Sequence, residues 1–175
     1  MAKVTPSRID IQQPEVAFNA GVNTSTFSRI GASTNFINER QNNVFDFKFF
    51  GPFRPLSGGE DGVRGFIFDA EIVGISGYIR LSGTAGNTVL DLHWNNGSSD
   101  QGTALSTKLT IANTAADGVV FYRNLIDASS SAPTGVTLPV FSKTQFDQGD
   151  FIRVDVDSNA TAAHDIVLNI HYRPR

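Results

Sequence analysis

The stretch Phe151–Tyr172, FIRVDVDSNATAAHDIVLNIHY, decides the fold. In its first half Ile152, Val154 and Val156 alternate with Arg153, Asp155 and Asp157. In its second half Ile166, Leu168, Ile170 and Tyr172 alternate with Val167, Asn169 and His171. Successive side chains of a β-strand point to opposite faces, so each half predicts a strand with one buried and one exposed face. The polar residues between the halves predict the connection between the two strands.

Six further runs, each bounded by turn residues, predict additional strands. They are Val63–Val73, Ile75–Leu81, Thr88–Trp94, Lys108–Ile111, Val119–Tyr122 and Val136–Phe141. Asn95-Asn96-Gly97 predicts a hairpin turn, because Asn and Gly tolerate the positive φ that such turns require. Eight short strands with long polar connections such as Ser98–Thr107 favour an all-β fold, a jelly-roll-like antiparallel β-sandwich over residues 63–175.

Residues 1–62 predict an extended N-terminal arm, since they are rich in Asn, Ser, Thr and Gly and lack sustained periodicity. One strand is expected near residues 44–50, where phenylalanines alternate with Asp46 and Lys48. Eight of the fourteen phenylalanines belong to the arm: Phe18, Phe27, Phe36, Phe45, Phe47, Phe49, Phe50 and Phe53. Burying one such ring contributes about 1.5–3 kcal/mol, so we expect these rings to contact other polypeptides.

Composition and segment lengths disfavour several classes of function. The formal net charge of -3 provides no basic face for nucleic acid. The absence of cysteine excludes thiolate metal sites and thiol catalysis. The N-terminus lacks the apolar core of a signal peptide, and no segment approaches the roughly 20 apolar residues that span a bilayer. We therefore expect neither a nucleic-acid partner nor a membrane partner.

The histidines do not predict a catalytic or metal site. His93, His164 and His171 lie far apart and lack ligand spacing, so surface or interface roles are favoured. Asp91 shares a strand face with His93, but a hydrolytic triad also needs a nucleophile at a strained turn, and the chain has no Gly-x-Ser-x-Gly motif. The sequence therefore predicts no enzyme, no catalytic residue and no cofactor.

A calcium loop is only partly matched. Asp155 and Asp157 begin a D-x-D-x-N pattern, but Ala160 stands where the loop needs glycine and Ile166 where it needs the closing Glu. A weak cation site near Asp155 and Asp157 is the one possibility left open. Trp94 ends a strand, where a position at the rim of the sandwich or in an interface is favoured over stacking on a sugar.

Two further stretches carry a resemblance to a known family. They are the strand-turn-strand Ile79–Leu92 and the closing pair Gly149–Asp157 with Ala163–Ile170. From about Ala70 to the end, the chain resembles the jelly-roll domains of tailed-bacteriophage virion proteins. The resemblance implies a symmetric, usually trimeric particle component. The expected partners are copies of itself, the major capsid protein and other virion proteins, in a virion assembled in the host cytoplasm.

Within that class we expect a capsid cement or decoration protein. The chain is short, has no coiled-coil heptad or fibrous repeat, and concentrates aromatic residues in an arm suited to lying across other subunits. The alternative is a tail-fibre or baseplate receptor-binding tip, in which the loops Asn95–Gly102 and Ala128–Gly135 recognise host glycan. A third reading, a carbohydrate-binding module, requires exposed aromatic residues on one face of the sandwich.

Overall fold

The structure is a computed structural model that describes residues 43–52 and 62–175. Within these ranges the chain forms fourteen β-strands and no helix. The strands are β1 (Asn43–Pro52), β2 (Val63–Gly65), β3 (Ala70–Leu81), β4 (Asn87–Asn95), β5 (Asp100–Thr103), β6 (Leu105–Thr107), β7 (Leu109–Ala112), β8 (Val119–Asn124), β9 (Ser130–Ser131), β10 (Val136–Thr137), β11 (Val140–Phe141), β12 (Gln145–Phe146), β13 (Phe151–Ser158) and β14 (His164–Pro174). The prediction of an all-β fold is confirmed.

Two antiparallel sheets form the sandwich. Sheet A has the order β1-β14-β3-β8-β9, with β12 also pairing with β3. Sheet B has the order β10-β7-β4-β13-β2, with β5 also pairing with β4. The β3–β4 and β13–β14 connections each cross from one sheet to the other, so β3 pairs with β14 and β4 pairs with β13. The antiparallel sandwich is confirmed, and its finer assignment as a jelly roll stays a prediction.

The hydrophobic core lies between the two sheets and follows the predicted alternation. Inward side chains on the two closing strands are buried to 2% exposure or less: Ile152, Val154 and Val156 on β13, and Ile166, Leu168 and Ile170 on β14. They belong to one cluster with residues of β3, β4 and β7. Since each large apolar side chain contributes about 1.5–3 kcal/mol when buried, this alternation supplies much of the stability of the fold.

The strand expected near residues 44–50 is β1, which pairs with β14 at one edge of sheet A. Phe47 and Phe49 point inward, with 0% and 5% exposure. Phe45 is half-buried and stacks on Tyr172 with ring centroids 4.3 Å apart. β1 therefore belongs to the sandwich, in the unit Asn42–Arg175. Residues 53–61 lie outside the described ranges, and the boundary near residue 62 stays a prediction.

The expected division of residues 63–81 at Gly74 is wrong. β3 runs through Gly74 without interruption, and the chain leaves the sheet at residues 66–69 instead. A Cβ on Gly74 would stand 2.8 Å from the carbonyl oxygen of Arg123 on β8. The glycine therefore permits close approach of a neighbouring strand and does not end its own strand.

The hairpin predicted at Asn95-Asn96-Gly97 is confirmed. Gly97 has a φ of +81°, and the Asn96 side-chain oxygen accepts the backbone N–H of Ser98 at 3.1 Å. The chain returns as β5, which pairs with β4. The expected polar connection Ser98–Thr107 thus contains the short strands β5 and β6, whose few apolar residues gave no alternation to detect.

Candidate interaction surfaces

The phenylalanines of the predicted arm fall into three groups. Phe18, Phe27, Phe36 and Phe53 lie outside the described residues. Phe45, Phe47 and Phe49 pack within this chain's own sandwich. Phe50 is 75% exposed, which makes it the most exposed phenylalanine among the described residues. The contact of these rings with other polypeptides stays a prediction, and among the described rings Phe50 is the one free to make it.

Large apolar side chains gather on the outer face of sheet A. This apolar face comprises Val44, Phe50, Tyr78, Val120 and Tyr122, with exposures of 48%, 75%, 39%, 61% and 42%. Strand alternation places them there, because their neighbours Phe49, Ile79 and Phe121 point into the core. The sequence contained this signal, since Val120 and Tyr122 flank Phe121 on a predicted strand.

The register places two members of the apolar face in one row. Val167, Tyr78 and Val120 stand side by side across β14, β3 and β8, and Lys48 on β1 ends the row. The four adjacent strands span about 14 Å, and the three apolar side chains form a continuous strip beside the lysine. A strip of this kind, bordered by charged residues, is the arrangement found in protein interfaces.

Asp165 lies at one border of the apolar face. Its carboxylate accepts the backbone N–H of Gly51 at 2.6 Å and forms an ion pair with Arg80 at 3.1 Å. The pKa of Asp165 is lowered below its usual value, mostly by the Gly51 N–H and to a smaller extent by Arg80. These contacts connect β1, β14 and β3 at the end of the sheet.

A shallow pocket of about 190 Å³ adjoins this face, lined in part by Ser76, Tyr122 and His171. The Ser76 hydroxyl lies 2.8 Å from His171 Nε2, and burial lowers the pKa of His171, which favours the neutral imidazole. Ser76 lies in the middle of β3 and not at a strained turn. The pair is therefore a hydrogen bond between strands and lacks the setting of a catalytic nucleophile.

The outer face of sheet B carries a polar cluster. Its members are Asp91, His93, Asp100, Thr103, Lys108, Arg153, Asp155 and Asp157. Asp91 on β4 and Asp155 on β13 are register partners, and both are buried, with 1% and 3% exposure. The structure thus brings together two pairs of residues that the sequence singled out, Asp91 with His93 and Asp155 with Asp157.

Lys108 neutralises one side of the polar cluster. Its ammonium lies 2.8 Å from Asp91 Oδ2 and 2.6 Å from Asp157 Oδ2. Among the described residues Asp91 Oδ2 accepts no hydrogen bond, so its contact with Lys108 is an ion pair without hydrogen-bond alignment. The other oxygen of Asp91 accepts the Thr103 hydroxyl. The pKa of Lys108 is raised, mostly by the Asp157 carboxylate and to a smaller extent by the Asp91 carboxylate.

Arg153 neutralises the other side. Its Nε donates to Asp155 Oδ1 at 3.0 Å, and its terminal nitrogen lies 2.7 Å from Asp100 Oδ2. His93 Nδ1 lies 3.2 Å from Arg153 and accepts from it, which assigns the proton of a neutral His93 to Nε2. The Gly102 N–H and Arg153 together lower the pKa of Asp100.

The weak cation site considered near Asp155 and Asp157 gains no support. The Asp155 carboxylate is paired with Arg153, and the Asp157 carboxylate is paired with Lys108. Across residues 43–52 and 62–175, no group of three or more His, Cys, Asp or Glu side chains could hold a metal ion.

A second pocket, of about 390 Å³, lies beside the polar cluster. Its lining includes Val63, His93, Asn95, Phe151 and Arg153. Phe151 is 39% exposed on this face, and nothing in the sequence analysis singled it out. The available signal was its alternation with Ile152, which places Phe151 outward.

Trp94, a candidate for sugar stacking, is half-buried at the edge of this pocket. Its ring meets the buried ring of Phe146 edge-on, with centroids 6.0 Å apart. The Lys143 ammonium lies 4.0 Å from the centroid of Trp94. The indole is therefore engaged by its own chain.

The described residues thus form a small antiparallel β-sandwich with an apolar face on one sheet and a polar pocket on the other. Within them, no helix is long and apolar enough to cross a membrane. No protein-family model matches the sequence, and no curated protein matches it.

Solved structures that are similar to this chain include two from phage capsids. One is the capsid of Ralstonia phage GP4, with 17% identity, coverage of 78% of this chain and 86% of that chain, and a TM-score of 0.45. Another is the cyanophage Pam1 capsid asymmetric unit, with 12% identity, coverage of 77% of this chain and 86% of that chain, and a TM-score of 0.36. Both similarities are distant.

Proposed function

We propose that this chain is a structural protein of a bacteriophage virion, a cement or decoration protein that assembles as a homotrimer and binds other capsid proteins. The observation that carries the proposal is the apolar face of sheet A. Two tyrosines, two valines and Phe50 stand exposed on the outer face of one sheet. Tyr78, Val120 and Tyr122 lie on the adjacent strands β3 and β8, and contiguous exposed apolar surface of this kind marks interaction sites. The role requires neither catalysis nor a cofactor.

The composition of the apolar face suits a protein partner. Tyr78 and Tyr122 combine an apolar ring with a hydroxyl group, and tyrosine is enriched in interfaces. Val120 is 61% exposed beside Tyr78, so a partner that covers both removes a continuous apolar strip from water.

The occupant we assign to this face is the N-terminal segment, residues 1–42, of a second copy. The segment carries Phe18, Phe27 and Phe36 and enters β1, the edge strand that borders the face. Its 42 residues span at most about 140 Å, many times the 14 Å width of the face, so the segment is long enough to reach a neighbour. Exchange of segments between copies multiplies weak contacts through effective concentration.

Deletion of residues 1–42 tests the proposal. The deletion ends before β1, because β1 supplies Phe47 and Phe49 to the core. We expect a folded monomer that no longer cosediments with phage capsids, whereas the full chain forms a trimer and binds them. If the truncated chain still binds capsids at full occupancy, the segment does not attach the protein to the capsid.

A receptor-binding tip is the second candidate. The pocket of sheet B favours it, because Asn95, Gly97 and Ser98 from the predicted recognition loop line that pocket. This candidate predicts that the isolated protein binds host cells and blocks infection. The cement role predicts neither result.

A further inference from the structure

The ring of Phe151 forms an exposed apolar platform on the outer face of sheet B. Its register partner on β2 is Gly65, where a Cβ would stand 3.1 Å from a ring carbon of Phe151. Glycine at that position lets the ring lie over the neighbouring strand. Val63, on the same strand, is 55% exposed and extends the apolar surface.

Polar groups stand at fixed positions beside this platform. On β4, Asn95 is the register partner of Phe151, and His93 is the register partner of Arg153. Facing residues of paired strands have Cβ atoms about 4.5–5.5 Å apart, so one small ring on Phe151 lies within reach of all three polar side chains. Asp155 and Asp100 hold the Arg153 guanidinium in place.

The loop beside the pocket is also preformed. Asn96 accepts the N–H groups of Ser98 and Ser99, at 3.1 and 2.9 Å. Asp100 accepts the Gly102 N–H at 2.7 Å. A ligand therefore meets a loop that is already ordered, which lowers the entropic cost of binding.

The charge around the pocket restricts its ligand. The polar cluster contains four carboxylates but only two permanent cations, Lys108 and Arg153. An anionic ligand meets net repulsion there. A neutral ligand with several hydroxyl groups finds an acceptor and donors in the Asn95 amide and further donors in Arg153, and both residues line the pocket.

We propose that this pocket binds a neutral pyranose sugar, with the C–H face of the sugar stacked on Phe151 and its hydroxyl groups bonded to Arg153 and Asn95. An aromatic surface with a few convergent polar groups is the usual composition of a small-molecule site, and 390 Å³ falls within the usual size range. The site does not depend on the assembly role, because it lies on the opposite sheet from the apolar face.

Saturation-transfer NMR on the full chain tests the site. The probes are the methyl glycosides of glucose, galactose, mannose and N-acetylglucosamine, with glucuronic acid as the anionic comparison. We expect transfer to the ring C–H protons of at least one neutral sugar, and weaker transfer to glucuronic acid. Phe151→Ala reduces affinity at least about tenfold, Phe151→Tyr retains binding, and the control Ile126→Ala, at an exposed position outside both the pocket and the apolar face, binds like the wild type.

Two results overturn the proposal: no transfer to any of the neutral sugars, or undiminished transfer in a folded Phe151→Ala variant. Asn95→Ala serves as the second variant if Phe151→Ala fails to fold, and equal affinity in Asn95→Ala overturns the proposal as well. A loss of sugar binding without a change in oligomeric mass separates this site from the assembly surface.

Discussion

Asp91 and Asp155 face each other across β4 and β13, and both carboxylates are buried. Like charges directly opposite on neighbouring strands destabilise a sheet. Lys108 and Arg153 offset the repulsion, because each lies within ion-pair distance of one of the two carboxylates. The stability of sheet B therefore depends on two cations that the same chain supplies.

Removal of Lys108 tests this dependence. Lys108→Met leaves Asp91 buried without its cation and lowers the free energy of unfolding by about 1–3 kcal/mol, less than for a fully buried pair because Lys108 is 40% exposed. The control is Lys48→Met, where the pair with Asp46 is half-exposed on both sides and the expected cost is below about 1 kcal/mol. Urea unfolding at pH 7 measures both, and equal costs would contradict the account.

Asp165 gives a prediction for acid conditions. Its pKa is lowered in the folded state by the Gly51 N–H and by Arg80, so its contribution to stability is present above pH 3.8 and is lost as the pH falls through the lowered pKa. Asp165→Asn removes this titration. We expect the unfolding free energy of the variant to fall less steeply than that of the wild type below pH 3.8, and parallel curves would contradict the assignment.

Gly77 and Phe121 test the packing beneath the apolar face. A Cβ on Gly77 would stand 2.4 Å from the Phe121 ring and 2.8 Å from the carbonyl oxygen of Val167. Gly77→Ala is therefore expected to cost about 2–3 kcal/mol by overpacking. The double variant Gly77→Ala with Phe121→Leu should lose less unfolding free energy than the sum of the losses in the two single variants, because the smaller side chain relieves the clash. Additive costs in chemical denaturation would show that the ring does not restrict Gly77.

Phe47 and Phe50 compare a buried phenylalanine of β1 with an exposed one. Phe47→Ala empties a fully buried site and is expected to cost about 3–5 kcal/mol. Phe50→Ala removes a ring that is 75% exposed and is expected to change stability by less than about 0.5 kcal/mol while it weakens self-association. Thermal unfolding and light scattering measure the two effects, and a large stability loss from Phe50→Ala would place that ring in the core.

Alternation in the sequence was sufficient to predict β13, β14 and the inward-facing residues of β1, because each strand has one face toward the core and one toward solvent. It could not predict that Asp91 and Asp155, on the outward face, are buried. Thr103 on β5 and Lys108 contact Asp91 there, and alternation does not specify the strand register that places them beside it. Two-residue strands such as β9 and β12 are too short to show a period.

The candidate surfaces were only partly predictable for a related reason. The aromatic arm drew attention by its composition, but Phe47 and Phe49 belong to the core and Phe45 packs against it, because β1 pairs with β14. Tyr78 and Phe151 were placed on predicted strands, and their outward positions follow from alternation. The sequence could not show that Tyr78 lies beside Val120, or Phe151 beside Asn95, because these neighbours come from strand register.

Sedimentation equilibrium of the full chain measures whether the apolar face of sheet A joins copies of this protein. We expect a trimer of the 18.9 kDa chain at micromolar concentration. We also expect that Val120→Glu, on the apolar face, dissociates the trimer, while Ile67→Glu, at a still more exposed position outside that face, does not. A full-length chain that sediments as an 18.9 kDa monomer would contradict the account.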